Sequence, residues 1–236
     1  MKVKKVPEGA VKKILFWIVL VTLFLSLIFT TVRFIMAPEE TTDPSVKVKG
    51  DYTLMIFQSV VGLVSLFIPT IIERKFKVDI PNSMEVLFII FLYAAIYLGE
   101  IRSFYFLIPY WDLLLHSFSG FMTGALGFFV VDLLNTDKRV KMMMSPLFLT
   151  IFAFSFAMTI GIVWELFEFA VDGLLGVNMQ KFMLEDGTPL IGREALIDTM
   201  EDIIVDAIGA FLMCLFGYIS IKCREKRKTT AIQEKQ

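Results

Sequence analysis

Asp198, Asp202 and Asp206 recur every fourth residue in the run DTMEDIIVDAIGA. At about 100° per residue they fall on one helical stripe roughly 80° wide and about 12 Å long. A second run, WELFEFAVD, places Glu165, Glu168 and Asp172 at i, i+3 and i+7, on an arc of roughly 60°. A third pairs Asp112 with His116, the single histidine, at i, i+4. Carboxylates joined by one imidazole make a hard, oxygen-rich ligand set. It suits Mg²⁺, Mn²⁺ or Ca²⁺, and Zn²⁺ through the His116 nitrogen. Metal-ligating candidates are therefore Asp112, His116, Glu165, Glu168, Asp172, Asp198, Asp202 and Asp206. His116 and Glu165 are in addition candidates for acid–base chemistry.

The elements that must position these groups are membrane helices. Mean hydropathy is +0.71, and 56% of the 236 residues are hydrophobic, which excludes an ordinary soluble domain. The apolar runs predict six spans at residues 14–36, 52–72, 84–99, 112–134, 146–171 and 198–221. The first is longer than a signal-peptide core and is read as retained. The fold class expected is all-α: one polytopic six-helix bundle over 14–221, with a basic tail at 1–13 and another at 222–236. The aromatic cluster at 103–111 reads as an interfacial belt. Cys214 and Cys223 form no CxxC or Cys/His motif, so a thiolate zinc site is excluded.

Charge asymmetry orients the bundle. Of the 23 Lys and Arg residues, seventeen lie in the two tails and the loops around Arg74 and Lys138, and six lie on the other side. The positive-inside rule then places both termini in the cytoplasm and every acid-bearing helix end toward the outer face. An ionised carboxylate in hydrocarbon is costly, so these acids should face the protein interior and be neutralised there. On that side only Arg102 and Arg193 lie near the acidic helix ends in sequence. They are candidates for holding a phosphate. Two arginines and one histidine cannot balance this many acids, so either several are protonated or a multivalent cation binds.

Plainer roles compete at some positions. Asp112 and Asp198 also read as N-caps, and Glu100 and Asp172 as solvated helix-end residues. Glu201 lies off the aspartate stripe, and Arg193 could pair with Glu194 or Glu201. His116 could simply pack. Gly120 and Gly124 on its helix form a small-xxx-small contact. The segment at 173–197, the longest on the outer side, carries Asp186–Gly187, a hairpin-turn signal, and could cover the site as a lid.

The patterns W-D-x3-H-x3-G from Trp111 to Gly120, E-x2-E-x3-D from Glu165 to Asp172 and D-T-x2-D-x3-D-x2-G-A from Asp198 to Ala210 resemble the YjdF-type inner-membrane family. That family has no established activity; the resemblance implies a bacterial cytoplasmic membrane protein. More remotely, the order of acid, histidine and polar final helix is similar to VanZ-like membrane proteins.

Three functions fit these residues. The first is a metal-dependent hydrolase or head-group transferase acting on an outer-leaflet lipid or lipid-linked phosphate. The second is a proton- or cation-coupled transporter, against which stands the absence of acids from the cytoplasmic halves of the last two spans. The third is a non-catalytic membrane protein pinned by a structural metal. The partners expected are the bilayer and a lipid-type substrate, with no nucleic acid.

Overall fold

A computed structural model describes residues 8–41, 43, 46–136, 144–184 and 187–233. Among these residues the regular structure is all helical, apart from one isolated antiparallel bridge between Met183 and Pro189. Six helical stretches are long and apolar enough to cross a membrane: Gly9–Met36, Lys49–Phe76, Asn82–Ile101, Trp111–Leu134, Pro146–Leu175 and Arg193–Arg227. The interior and the surface are inverted relative to a soluble protein. Trp17, Phe29, Phe169 and Phe211 are exposed, whereas Glu85, His116, Glu165 and Asp206 are buried. Only a hydrocarbon surround makes that arrangement stable.

The helices are α1 Glu8–Met36, α2 Lys49–Ser65, α3 Ile68–Phe76, α4 Asn82–Leu92, α5 Phe104–Leu107, α6 Trp111–Thr136, α7 Pro146–Leu175 and α8 Arg193–Gln233. Several run past the apolar limits, because a helix in water continues through charged residues until the backbone is broken. α1 takes in Lys12 and Lys13, and α8 reaches back to Arg193, where Gly192 at φ 63° ends the preceding loop. Between α2 and α3 the break falls just ahead of Pro69, which lacks the N–H a continuous helix needs. α4 passes into a π-helical segment, Tyr93–Ile101, which ends at Ser103 in the left-handed region. The expected aromatic belt is the short α5, between Ser103 at φ 58° and Tyr110 at φ 62°.

The chain forms two compact units. The first comprises Met1–Leu115 and Phe167–Asp198. One part of its core joins Val19 and Leu23 of α1 to Leu66, Ile89, Leu92 and Ile96; another packs Leu54 with Val171, Val177 and Met179. The second unit comprises His116–Leu166 and Thr199–Gln236. It is held by glycines rather than by large side chains. A Cβ at Gly209 would sit 1.9 Å from the Ser117 carbonyl oxygen, and one at Gly120 would sit 2.1 Å from the Asp206 carbonyl oxygen. α6 and α8 therefore cross backbone against backbone. A Cβ at Gly127 of α6 would meet the Ala153 Cα of α7 at 2.8 Å.

Candidate metal centre

The second unit gathers three of the expected acids around the His116 imidazole. His116 enters from α6, Glu165 from α7, and Asp202 and Asp206 from α8. All four are buried, the two aspartates to the point that only 2% of each is exposed. The glycine crossing brings them together. Gly120 and Gly209 let α8 press against α6 within a turn or two of His116. Gly161 of α7 clears the space that the Asp206 carboxylate fills, since a Cβ there would lie 2.6 Å from Asp206 Oδ2.

The distances around the imidazole are long. His116 Nδ1 is 3.5 Å from Asp206 Oδ2 and 3.9 Å from Glu165 Oε1, and His116 Nε2 is 3.7 Å from Asp202 Oδ2. Good N–H···O hydrogen bonds are about 2.7–3.2 Å long, so these contacts are too wide to be strong ones. They fall in the range between neighbouring and opposite ligands on one ion, and only one of the two ring nitrogens could face that ion. Metal–ligand bonds of about 2.1 Å place neighbouring ligand atoms roughly 3.0–3.5 Å apart and opposite ones about 4.2 Å apart. One ligand atom each from His116, Glu165 and Asp202 lies within 4.8 Å of the others, a set that a small inward shift would close around a cation. Asp206 Oδ1 is buried and accepts no hydrogen bond. A buried carboxylate oxygen in that state is costly unless a cation or proton reaches it. The donor set therefore fits a divalent cation. One ring nitrogen of His116 can face the ion while the other donates to a carboxylate, an arrangement common at metal-ligating histidines.

The first unit places the remaining acids differently. Asp112 receives the Lys181 ammonium, a loop residue that also lies 4.1 Å above the Tyr105 ring. Burial alone would push the Lys181 pKa down. Asp112, and then Tyr105, Asp198 and Glu168, outweigh that and hold it above its ordinary value. Burial, followed by the Asp112 charge, pushes the Tyr105 phenol well above its usual range. Lys181 thus stays charged, with its loop backbone in the left-handed region at φ 52°. Asp172 accepts the backbone N–H of Met179 at 2.6 Å through Oδ1 and that of Gln180 at 2.9 Å through Oδ2. Both its oxygens thereby shape the loop. Asn178 bridges the loop by accepting the Met183 N–H and donating to the Met183 carbonyl. Glu168 is buried in this unit, and Glu100 accepts a hydrogen bond from Gln58 at 3.4 Å.

Several expectations change with this geometry. Asp198 is no N-cap, because α8 starts at Arg193 and puts it in the second helical turn. Arg102 and Arg193 are exposed. Glu201, off the aspartate stripe, is exposed as well, and so is Asp132 near the end of α6. In the loop, Leu184 donates to the Thr188 carbonyl and Gly187 stands at φ 79°, which makes a tight turn. Asp186, half of the turn signal, lies outside the described residues. Sequence reasoning counted Lys181 only as a charge; its one signal was a lone cation in a loop joining two acid-bearing helices. It also passed over Gly161, an unremarkable glycine in an apolar run.

A family described as "Predicted membrane protein (DUF2238)" matches residues 12–222. An uncharacterized protein of Thermotoga maritima is 26% identical over 153 residues, which cover 64% of this chain and 70% of that protein. No solved structure matches.

Proposed function

We propose that this chain, which belongs to the DUF2238 family of predicted membrane proteins, is a membrane metalloprotein. Its divalent cation would sit among His116, Glu165, Asp202 and Asp206 and serve hydrolysis or head-group transfer on a lipid or lipid-linked phosphate. The observation that carries this reading is the buried set of His116, Glu165 and Asp202, one ligand atom of each within 4.8 Å of the others, at distances wide for hydrogen bonds. Bound there, Mg²⁺, Mn²⁺, Ca²⁺ or Zn²⁺ would polarise a phosphoryl oxygen and lower the pKa of a bound water. The chain's own groups supply the rest. His116, in reach of the carboxylates through both nitrogens, can hold or pass a proton, and Glu165 is the second acid–base candidate. The exposed Arg102 and Arg193 are the candidates for drawing a phosphate to the protein. The YjdF-type resemblance supports a bacterial cytoplasmic membrane protein and adds no substrate.

The test is elemental analysis of the purified protein before and after chelation, paired with assays of phosphate or head-group release from phospholipid vesicles. Stoichiometric metal, and release that chelator abolishes and one of the four ions restores, are expected. A preparation shown to be metal-free that unfolds at the same temperature with or without added ions at pH 7 would overturn the metal reading. A protonated, transport-type cluster would then describe the site better.

The 17-to-6 Lys/Arg asymmetry supports cytoplasmic termini, with this site toward the outer leaflet. Reporter fusions after Gln236 and within the loop at 176–192 should therefore report opposite sides of the membrane. A loop fusion that reads as cytoplasmic would turn the site, and its substrate, to the inner leaflet.

A further inference from the structure

At the end of the first unit that carries the start of α1, a cavity of about 190 Å³ opens between α1, α3 and α4. Lys12, Lys13, Phe16 and Trp17 line it from α1, Thr70 from α3 and Glu85 from α4. The two lysines are not equivalent. Lys12 Nζ sits 2.5 Å from Oε1 of the buried Glu85, so its charge is spent inside the protein. Lys13 is exposed and keeps its charge for an outside partner. Thr70 supplies a hydroxyl. One turn beyond it begins the exposed basic run Arg74, Lys75 and Lys77, around the left-handed end of α3. Below the polar groups the wall is apolar, and the large Trp17 ring lies on the outer, lipid-side surface.

We infer that this groove binds the phosphate head-group of an anionic phospholipid, with Lys13 and Thr70 on the phosphate and an acyl chain against Phe16 and Trp17. The volume decides between occupants. Drug-sized ligands fill pockets of roughly 300 Å³ or more, whereas a head-group needs only a small polar mouth because its chains stay in the bilayer. Charge complementarity at the mouth and an apolar wall continuous with the lipid-facing Trp17 together favour a lipid over a soluble anion. Each basic residue near an anionic membrane surface contributes about 1 kcal/mol, a factor of about five in affinity. This site is independent of the His116 cluster and does not rest on its metal.

The experiment uses the full chain in neutral detergent, titrated with phosphatidylglycerol, phosphatidylcholine or glycerol 3-phosphate. Retained lipid is counted by native mass spectrometry and binding is followed by the thermal midpoint. Saturable binding of phosphatidylglycerol, at least about fivefold tighter than phosphatidylcholine, is expected. Lys13→Gln should weaken it about fivefold, and Thr70→Val should weaken it with the fold intact. Lys222→Gln, which removes a lysine at the far end of α8, should change nothing. Equal affinity for the two lipids would overturn the inference. So would equal effects of Lys13→Gln and Lys222→Gln. Glycerol 3-phosphate displacing the lipid at comparable concentration would also overturn it, because the site would then recognise a soluble anion.

Discussion

Asp202→Asn and Glu165→Gln should each weaken divalent-metal binding by roughly 10–100-fold, the loss usual when an inner or supporting ligand of a metal site is changed. Both substitutions keep size and shape. What they remove is the negative charge that would hold a cation at the His116 imidazole, which stands 3.7 Å from Asp202 and 3.9 Å from Glu165. Asp132→Asn, at an exposed position, should leave the affinity unchanged. Equilibrium dialysis on chelator-stripped protein measures it directly. The sign with pH follows from the same chemistry. Ligands must be deprotonated to coordinate, so binding should release protons and weaken as pH falls. If Asp202→Asn binds metal as tightly as the unmodified chain, the four residues do not form a metal centre.

The second large effect should come from Gly120 and Gly209. Gly209→Ala would push a methyl to within 1.9 Å of the Ser117 carbonyl oxygen, and Gly120→Ala would do the same at 2.1 Å from that of Asp206. Neither obstacle is a flexible side chain, so the helices must separate by more than 1 Å. A loss of about 3 kcal/mol or more is expected for each, at the upper end for overpacking. Metal affinity should fall along with stability, because the same crossing positions His116 against Asp202 and Asp206. Gly173→Ala is the control. A Cβ there meets nothing, so helix propensity alone should stabilise it by up to about 1 kcal/mol. Reversible unfolding in mixed detergent gives all three values. If Gly209→Ala is as harmless as Gly173→Ala, the close crossing of α6 and α8 is not what holds the site.

The six spans were legible because long, predominantly apolar stretches have few other uses. His116, Glu165, Asp202 and Asp206 stood out for a related reason: an ionisable group one or more turns inside such a run needs an interior partner. The same reasoning expects Glu168 to join these four, whereas Glu168 is buried in the first unit. Glu165 and Glu168 are one turn apart on α7, yet only the tertiary placement of Gly161, beside Asp206, shows which side of α7 faces α8. The misplaced start of α8 has a local cause. Arg193 and Glu194 are charged and Asp198 follows close behind, which hid the start from an apolar count, but nothing after Gly192 breaks a helix, so the helix begins there. The π-helical turns at Tyr93–Ile101 have no marker in the sequence, being set by how neighbouring helices pack.

The Lys181–Asp112 pair makes the mobility of one loop a question of electrolyte. Moving Lys181 outward would drag its ammonium off Asp112 and the Tyr105 ring, and separating a largely buried pair is steeply unfavourable. Monovalent salt screens such a pair only weakly, whereas a multivalent cation competing for the carboxylate could stand in for the lysine. The kind of cation in the buffer, more than its ionic strength, should therefore set how often Lys181 leaves Asp112.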